Sequence, residues 1–443
     1  MKLSSNAISY TLSHLFKVAF PDTETNITIY DSDICVKIHD IGFHFWIMDE
    51  EKNEQLLQGT LPLQKVNSPL KHTIPVCQKE NTSALYTING QTIDIHCDLV
   101  TLPFFLLSRY EETYHKNLDK HQRFPYHNSL PCLYQFIDYP IIDEYALTLR
   151  EWTCRHFSNL QPKANKGKLL LTHDIDILFR FGNWAKNLRT IIGGDLIARH
   201  SFSMMVKSCK QLKRCWQNRF LDPYIIAIAN LMQLLPEDGD EIFFFKALCD
   251  GEKDCTYDIN SKEVRYLLQT IIGNKKQVGL HGSYDSYNQT DLFQREKERI
   301  DRCSAQPIKL HRQHFLRFNA IVTPKIWEEA GITDDYTLGY AEQEGFRCGT
   351  CHPFPLYDLT NDQPLKVMEH PLIAMDTTFI IHRRQNITAT YQKLCQLLQT
   401  CLDAEGECTL LWHSTSTERE FSSWYNRVYR PFIIHYQKII LND

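Results

Sequence analysis

The stretch Lys168-Leu-Leu-Leu-Thr-His-Asp-Ile-Asp176 decides how the chain is read. A short apolar run, Leu169 to Leu171, ends abruptly in Thr172, His173, Asp174 and Asp176. An apolar run of that length with polar residues at its tip fits a buried strand that opens onto a cleft. Side chains alternate along an extended chain, so Asp174 and Asp176 point the same way, roughly 6–7 Å apart. Two carboxylates on one face can divide labour, one holding a cation and the other taking a proton from water. Taken alone, the pair reads more readily as a solvated Asp-x-Asp at a strand end.

Working outward, strand-like runs alternate with helical stretches from Pro162 onward. The runs are 168–172, 241–248, 277–282, 308–318, 345–351, 367–379 and 408–414, with amphipathic stretches such as 261–273, 291–303 and 389–402 between them. Seven or so strands with intervening helices predict a parallel α/β fold, and a (β/α) barrel accommodates them. Barrels of this kind carry their chemistry at the C-terminal ends of strands. The polar residues fall there: Asp174 and Asp176 on the first run, His281 on the third, Arg312 and His314 on the fourth. The run 367–379 carries Glu369, His370 and Asp376, and the last ends in Trp412-His413.

One connection departs from the pattern. About sixty residues, 179–240, separate the first two runs, far more than a usual barrel loop. Within 180–219 there are nine Lys or Arg and a single acidic residue, Asp195. A helical insertion with a basic face is expected, either a solvated excursion or a lid that attracts an anionic substrate or partner.

Residues 1–160 read as a separate, smaller α+β domain. Ile8, Leu12, Leu15 and Phe16 lie near one face of an N-terminal helix, and alternation from Asn26 predicts a small sheet. Asn89-Gly90 marks a hairpin between 84–88 and 92–95. The segment 98–112 is apolar, then abruptly charged, and predicts a helix beginning near Pro103. Arg109, Glu111 and Glu112 read as a capped helix end, with a binding groove as the alternative.

At 443 residues the chain suits two domains, 1–160 and 161–443, and its 43% hydrophobic content supplies a substantial core. A net charge of −5 gives no reason to expect a nucleic-acid partner. No window approaches the ~18 consecutive apolar residues of a membrane span. The first twenty residues lack a continuous apolar core and a small-residue cleavage site, which predicts a cytoplasmic protein. The fifteen cysteines are scattered and odd in number, and several, such as Cys35, Cys249 and Cys395, sit in apolar settings. They are expected to be reduced and structural. Cys348-Gly-Thr-Cys351-His352 matches the haem-attachment pattern, but that chemistry needs export. A redox or zinc role stays open, without a second Cys pair at finger-like spacing to support it.

Gly279-Leu-His-Gly-Ser-Tyr-Asp285 places His281 and Asp285 four apart, a helical or turn spacing that brings both side chains to one side. Imidazole and carboxylate can share a divalent ion with Asp176. Arg312-Gln-His314-Phe315 adds a cation and another imidazole. In order, these motifs resemble those of the NodB-like polysaccharide deacetylases. The first motif of that family has a variant branch, Thr-His-Asp-x-Asp, which Thr172 to Asp176 matches fully. The second, His-(Ser/Thr)-x-x-His, appears as His281-Gly-Ser-Tyr-Asp285, with Asp in place of the second His. The third, Arg-x-Pro-(Phe/Tyr), becomes Arg312-Gln-His314-Phe315, and the fifth, Leu-x-His, is met by Leu411-Trp-His413. The resemblance covers roughly residues 165–415. Phe104 to Glu112 and Gln122-Arg-Phe-Pro125 also resemble an uncharacterised domain found ahead of some bacterial members.

The resemblance implies a distorted (β/α) barrel and a metal-dependent hydrolase that removes an acyl group, by expectation N-acetyl, from a glycan or related small amide. It implies Asp174 as base, His413 as general acid and Arg312 as the partner that fixes Asp174. Asp176, His281 and Asp285 are the implied metal ligands, with His314 as an alternative third. His314, Asp335 and Trp412 are expected to face the acylated sugar. The divalent ion is Zn, Mn, Co or Mg, the carboxylate at 285 favouring a harder ion than zinc. Two other readings stay open: a glycan-binding pseudo-enzyme, and a structural or assembly protein. Neither the sugar nor the oligomeric state is legible.

Overall fold

The computed structural model describes residues 2–30, 33–235, 240–248, 253–254, 257–417 and 422–442. Cys249 and residues 236–239 of the insertion lie outside the described residues. The chain divides into two compact units: Met1–Leu169 with Phe315–Arg384 and Gln396–Leu410, and Leu170–His314 with Gln385–Cys395 and Leu411–Asp443.

In the first unit, helix Ser5–Ala19 starts where the Ser4 side chain accepts from the Ala7 amide. Its buried face includes Leu12, Leu15 and Phe16, and Phe16 meets Phe43 edge to face at 5.0 Å. Phe43 belongs to a five-stranded sheet formed by Asn26–Tyr30, Asp33–Ile38, Ile41–Phe45, Thr92–Ile95 and Tyr86–Asn89, in that spatial order. The expected hairpin is present: Asn89 pairs with Thr92 and Gly90 supplies the positive φ of the turn. The segment 98–112 forms two helices rather than one, Thr101–Leu107 and Tyr110–Tyr114. Arg109 breaks them by taking φ +57°. That backbone turns its guanidinium inward, where it contacts Glu111 at 2.6 Å, Glu112 at 2.8 Å and the carbonyls of Leu106 and Arg347. These three residues are a buried ion-pair cluster and line no groove.

The predicted α/β architecture behind a separate α+β region is what the chain forms. The largest sheet among the described residues has nine strands and is open, edged by Phe354–Asp358 and Leu372–Met375. In the second unit, Lys168–Ile175 from Leu170 onward, Glu241–Phe245, Gln277–Gly282 and Leu310–Gln313 pair in parallel, each beside the next. Leu169 to Leu171 and Ile242 to Phe245 are buried throughout, as expected of parallel strands covered on both faces. In the first unit, Gln363–Glu369 pairs antiparallel with Phe354–Asp358 and parallel with Asp334–Asp335.

The run 345–351 is not a strand. Gly345 and Gly349 hold φ of +123° and +68°, and a Cβ on Gly345 would meet the Ile137 carbonyl oxygen at 2.2 Å. The segment is a tight loop whose apolar residues are buried by packing rather than by pairing. The run 367–379 likewise divides into Gln363–Glu369, Leu372–Met375 and the helical turn Thr378–His382.

The long connection is helical, with Trp184–Leu188, Arg189–Ala198, Phe202–Gln217 and Pro223–Leu231. Buried Asp222 anchors it, accepting from the amides of Arg180, Phe181 and Tyr224. No helix of the described residues is long and apolar enough to cross a membrane.

Candidate active site

Four parallel strands end side by side in the second unit, and their tips carry the polar residues. Register places Asp174 beside Phe244 and His281 beside Arg312. Asp174 and Asp176 both reach the same imidazole: His281 Nε2 lies 3.6 Å from Asp174 Oδ2 and 3.3 Å from Asp176 Oδ1. His281 Nδ1 is 2.8 Å from the Arg312 carbonyl, so in the neutral ring this nitrogen donates and Nε2 keeps its lone pair for the carboxylate side. A third group converges there, His314 Nε2 at 3.4 Å from Asp176 Oδ1. The ligand atoms of Asp176, His281 and His314 all lie within 4.8 Å of one another. His413 Nε2 approaches the other Asp176 oxygen at 3.6 Å.

Arg312 is fully buried, with its guanidinium over the Phe244 ring. Nη1 donates to Thr172 Oγ1 at 2.7 Å and Asp174 Oδ1 at 3.2 Å. One residue therefore fixes two others, His281 through its carbonyl and Asp174 through its side chain. His173, between Thr172 and Asp174 in the motif, faces away into the core. Its nitrogens meet the Trp412 carbonyl at 2.7 Å and Glu241 at 3.0 Å.

Three residues that the motifs do not include complete the cluster. Lys246 is buried at the tip of Glu241–Phe245, its Nζ 3.4 Å from Asp176 Oδ1 and 3.3 Å from Asp254 Oδ1. It also lies 2.7 and 3.0 Å from the two nitrogens of His314. Asp254 accepts from the Tyr284 amide and sits 3.0 Å from His314 Nδ1. Tyr257 bridges two strand tips, accepting from the Lys246 amide and donating to the Ile175 carbonyl. A signal for Lys246 existed: a lysine after Ile-Phe-Phe-Phe is a strand-end polar residue once the strand stops at 245 rather than 248.

Charge balance shapes the cluster. Burial alone would raise the Asp176 carboxyl, but His314, His281 and Lys246 outweigh it and hold the group well below the usual range. Asp254 is also lowered: burial opposes this, and the His314 hydrogen bond and Lys246 override it. Burial takes His314 down to about 4, so it is neutral near pH 7, the form that can donate a lone pair to a cation. A neutral imidazole has one N–H. If Nδ1 donates to Asp254, Nε2 is the acceptor for which Lys246 and a cation on Asp176 compete.

Asp285, expected as a ligand, is exposed and lies outside this cluster. The four-residue spacing fails because the strand ends at Gly282 and the chain enters an irregular turn. There Ser283 and Ser286 take the inward positions. Trp412, expected to face substrate, is 1% exposed and stacks on Tyr429 at 4.6 Å. Asp335 belongs to the other unit, fully buried, accepting from the amide and hydroxyl of Thr337. Neither presents a surface for a sugar.

A second group with metal-ligand chemistry, Asp143, Cys351 and His352, lies in the first unit. Asp143 accepts from Thr350 Oγ1, the Cys351 amide and the Cys351 thiol at 2.5, 2.8 and 3.2 Å. Those bonds satisfy it without a cation. In the first cluster, by contrast, buried Asp176 Oδ1 and His281 Nε2 make no hydrogen bond among the described residues. One carboxylate and two imidazoles, with two buried atoms lacking hydrogen bonds, fit a divalent ion.

A model of a family of unknown function (DUF7033) matches residues 1–158. No curated protein matches the chain. Among solved structures the chain is similar to an assigned polysaccharide deacetylase from Mycobacterium smegmatis, at 15% identity and a TM-score of 0.39. That match covers 62% of this chain and 85% of that one. A mutant of a CE4-family pseudoenzyme with restored enzymatic activity matches at 12% identity and a TM-score of 0.31, over 62% of this chain and 65% of its own. A 4-alpha-glucanotransferase from Thermococcus litoralis matches at 10% identity and a TM-score of 0.33, over 63% and 38%. The family match ends at residue 158, and the strand-tip cluster lies wholly beyond it.

Proposed function

We propose that residues 161–443 form a metal-dependent hydrolase that removes an acyl group, N-acetyl by preference, from a glycan or related small amide. Residues 1–160 form its companion domain. The observation that carries this reading is the convergence of Asp176, His281 and His314 beside an Arg312-held Asp174. Asp176, His281 and His314 would hold the ion, and with two nitrogens and one oxygen the set suits Zn, Co or Mn better than Mg. Bound there, a divalent ion supplies acidification of water and polarisation of the acyl oxygen.

The chain's own residues supply the proton transfers. Asp174, oriented by the Arg312 guanidinium, accepts a proton from the attacking water. As the C–N bond breaks, His413 delivers a proton to the leaving amine, and the acyl group departs as the carboxylic acid. No disulfide joins two cysteines among the described residues, which supports a reducing compartment such as the cytoplasm.

The test is metal content of the purified chain beside Asp176→Ala and His281→Ala, followed by acetate release from N-acetylated sugars. Near-stoichiometric metal in the wild type, lost in both variants together with acetate release, is expected. Absence of metal after soaking in Zn²⁺, Mn²⁺ and Co²⁺ would sink the hydrolase reading. Lys246 favours a second reading, a glycan-binding pseudo-enzyme, because its ammonium already sits among Asp176, Asp254 and His314. Saturable sugar binding with neither metal nor product would support it.

A further inference from the structure

The insertion presents a surface that the strand-tip cluster does not use. Helix Trp184–Leu188 runs into Arg189–Ala198 with helical backbone at the junction. Trp184, Leu188, Ile192 and Leu196 recur every fourth residue, a spacing that keeps them on one face, and all four are exposed. Trp184 is 78% exposed, and Ile197, next to Leu196 in the chain, 62%. Helix Phe202–Gln217 follows, capped by Ser201. Its Phe202 and Trp216 are 67% and 75% exposed, and two heptads of separation put them on one side.

Within residues 180–219 the exposed charges have one sign. Arg189, Lys207, Lys210, Lys213, Arg214 and Arg219 are exposed. The acidic residue of the segment, Asp195, is fully buried and is taken up by Arg180 at 3.3 Å and Ser208 at 2.5 Å. Solvent therefore meets tryptophan, phenylalanine and aliphatic side chains in a segment, 180–219, whose exposed charges are cations. A soluble polyanion would engage the cations and leave the aliphatic stripe in water. An apolar protein partner would cover the stripe and has no use for six exposed cations. A bilayer with anionic headgroups satisfies both, since indoles and aliphatic chains enter the headgroup–acyl boundary while Lys and Arg stay at the phosphates.

We propose that the helices spanning residues 184–217 are a peripheral docking surface for a membrane containing anionic lipid, with Trp184, Leu188, Phe202 and Trp216 entering the interface. This assignment is independent of the hydrolase reading. It is tested on the full chain by co-sedimentation with vesicles of phosphatidylcholine, alone or mixed with phosphatidylglycerol. Wild type should partition onto the mixed vesicles at least about tenfold more strongly than onto neutral ones, and salt should weaken the binding. A Trp184→Ser, Trp216→Ser double variant and a Lys207→Glu, Lys210→Glu, Lys213→Glu triple variant should each lose about tenfold or more. These positions are exposed, and circular dichroism checks that the variants fold. In wild type itself, spin-labelled acyl chains should quench tryptophan fluorescence.

Equal binding to both vesicle types, or no quenching, overturns the proposal. Loss on charge reversal with no loss in the serine variant, together with competition by a soluble polyanion, would overturn it in favour of an acidic polymer.

Discussion

Replacing Lys246 by methionine should tighten divalent-ion binding. The two groups compete for the same atoms, because Nζ lies 3.4 Å from Asp176 Oδ1 and 3.0 Å from His314 Nε2. An ion held at ordinary ligand distances of about 2.0–2.2 Å from His314 Nε2 can be no further than about 5 Å from Nζ. A doubly charged ion and an ammonium about 5 Å apart repel by roughly 7 kcal/mol at an effective dielectric of about 20 and by roughly 2 kcal/mol in bulk water. The lower bound alone predicts at least about tenfold tighter binding. Methionine keeps the length and apolar stem of the side chain, which limits the cavity term. Without metal, the variant should unfold at lower temperature, since Asp176 and Asp254 lose a buried cation. Added Zn²⁺ should recover more stability in it than in wild type. Competition titration against a fluorescent chelator, beside thermal unfolding with and without metal, reads both effects. Unchanged or weaker metal affinity in Lys246→Met would refute the assignment of one shared position to the ammonium and the ion.

Three further outcomes follow from the geometry. His314→Ala should lower metal affinity at least about a hundredfold, whereas Asp285→Ala should change it by less than about twofold, as titration calorimetry would reveal; the reverse order would restore Asp285 as the third ligand. Arg312→Met should destabilise the fold by about 3–5 kcal/mol in urea denaturation, because it strips the cation from buried Asp174, and a loss below about 1 kcal/mol would show that the pair is not held in a dry site. His370, between Glu407 at 2.7 Å and Asp334 at 3.1 Å, is raised to about 9: burial opposes the shift and the two carboxylate hydrogen bonds overcome it. A folded value above the unfolded one of about 6.5 means stability that is complete below that pH and lost as pH rises through about 9. His370→Gln should remove most of that slope, worth about 3 kcal/mol, and a wild-type stability flat between these two values would contradict it.

Much of this chain is written locally. The apolar run before Thr172, the alternation around Asn89-Gly90 and the amphipathic stretch after Ser261 each declare an element through side-chain period and turn chemistry, which act over a few residues. Strand tips follow from the same signal, so the amino-acid order alone puts His281, Arg312, His314 and His413 at the end of a sheet. The excess of cations in the insertion is equally visible there. Which apolar side chains of the insertion stay in water is not.

Tertiary structure decided what spacing leaves open. Asp285 and His314 were both eligible as a third ligand, and the irregular turn after Gly282 sends one into solvent while the neighbouring strand carries the other inward. In sequence Trp412 and Asp335 are candidates to face substrate, but a side chain's surroundings depend on distant residues: Tyr429 covers the indole, and the Thr337 turn occupies the carboxylate. Lys246 joined the cluster because its strand stops earlier than its hydrophobicity suggests. The run 345–351 has strand-like composition, yet left-handed glycines and the backbone of Ile137 fold it into a loop. Period and propensity are properties of a few consecutive residues; burial, charge pairing and close backbone approach belong to residues tens to hundreds of positions apart, and only the folded chain brings them together.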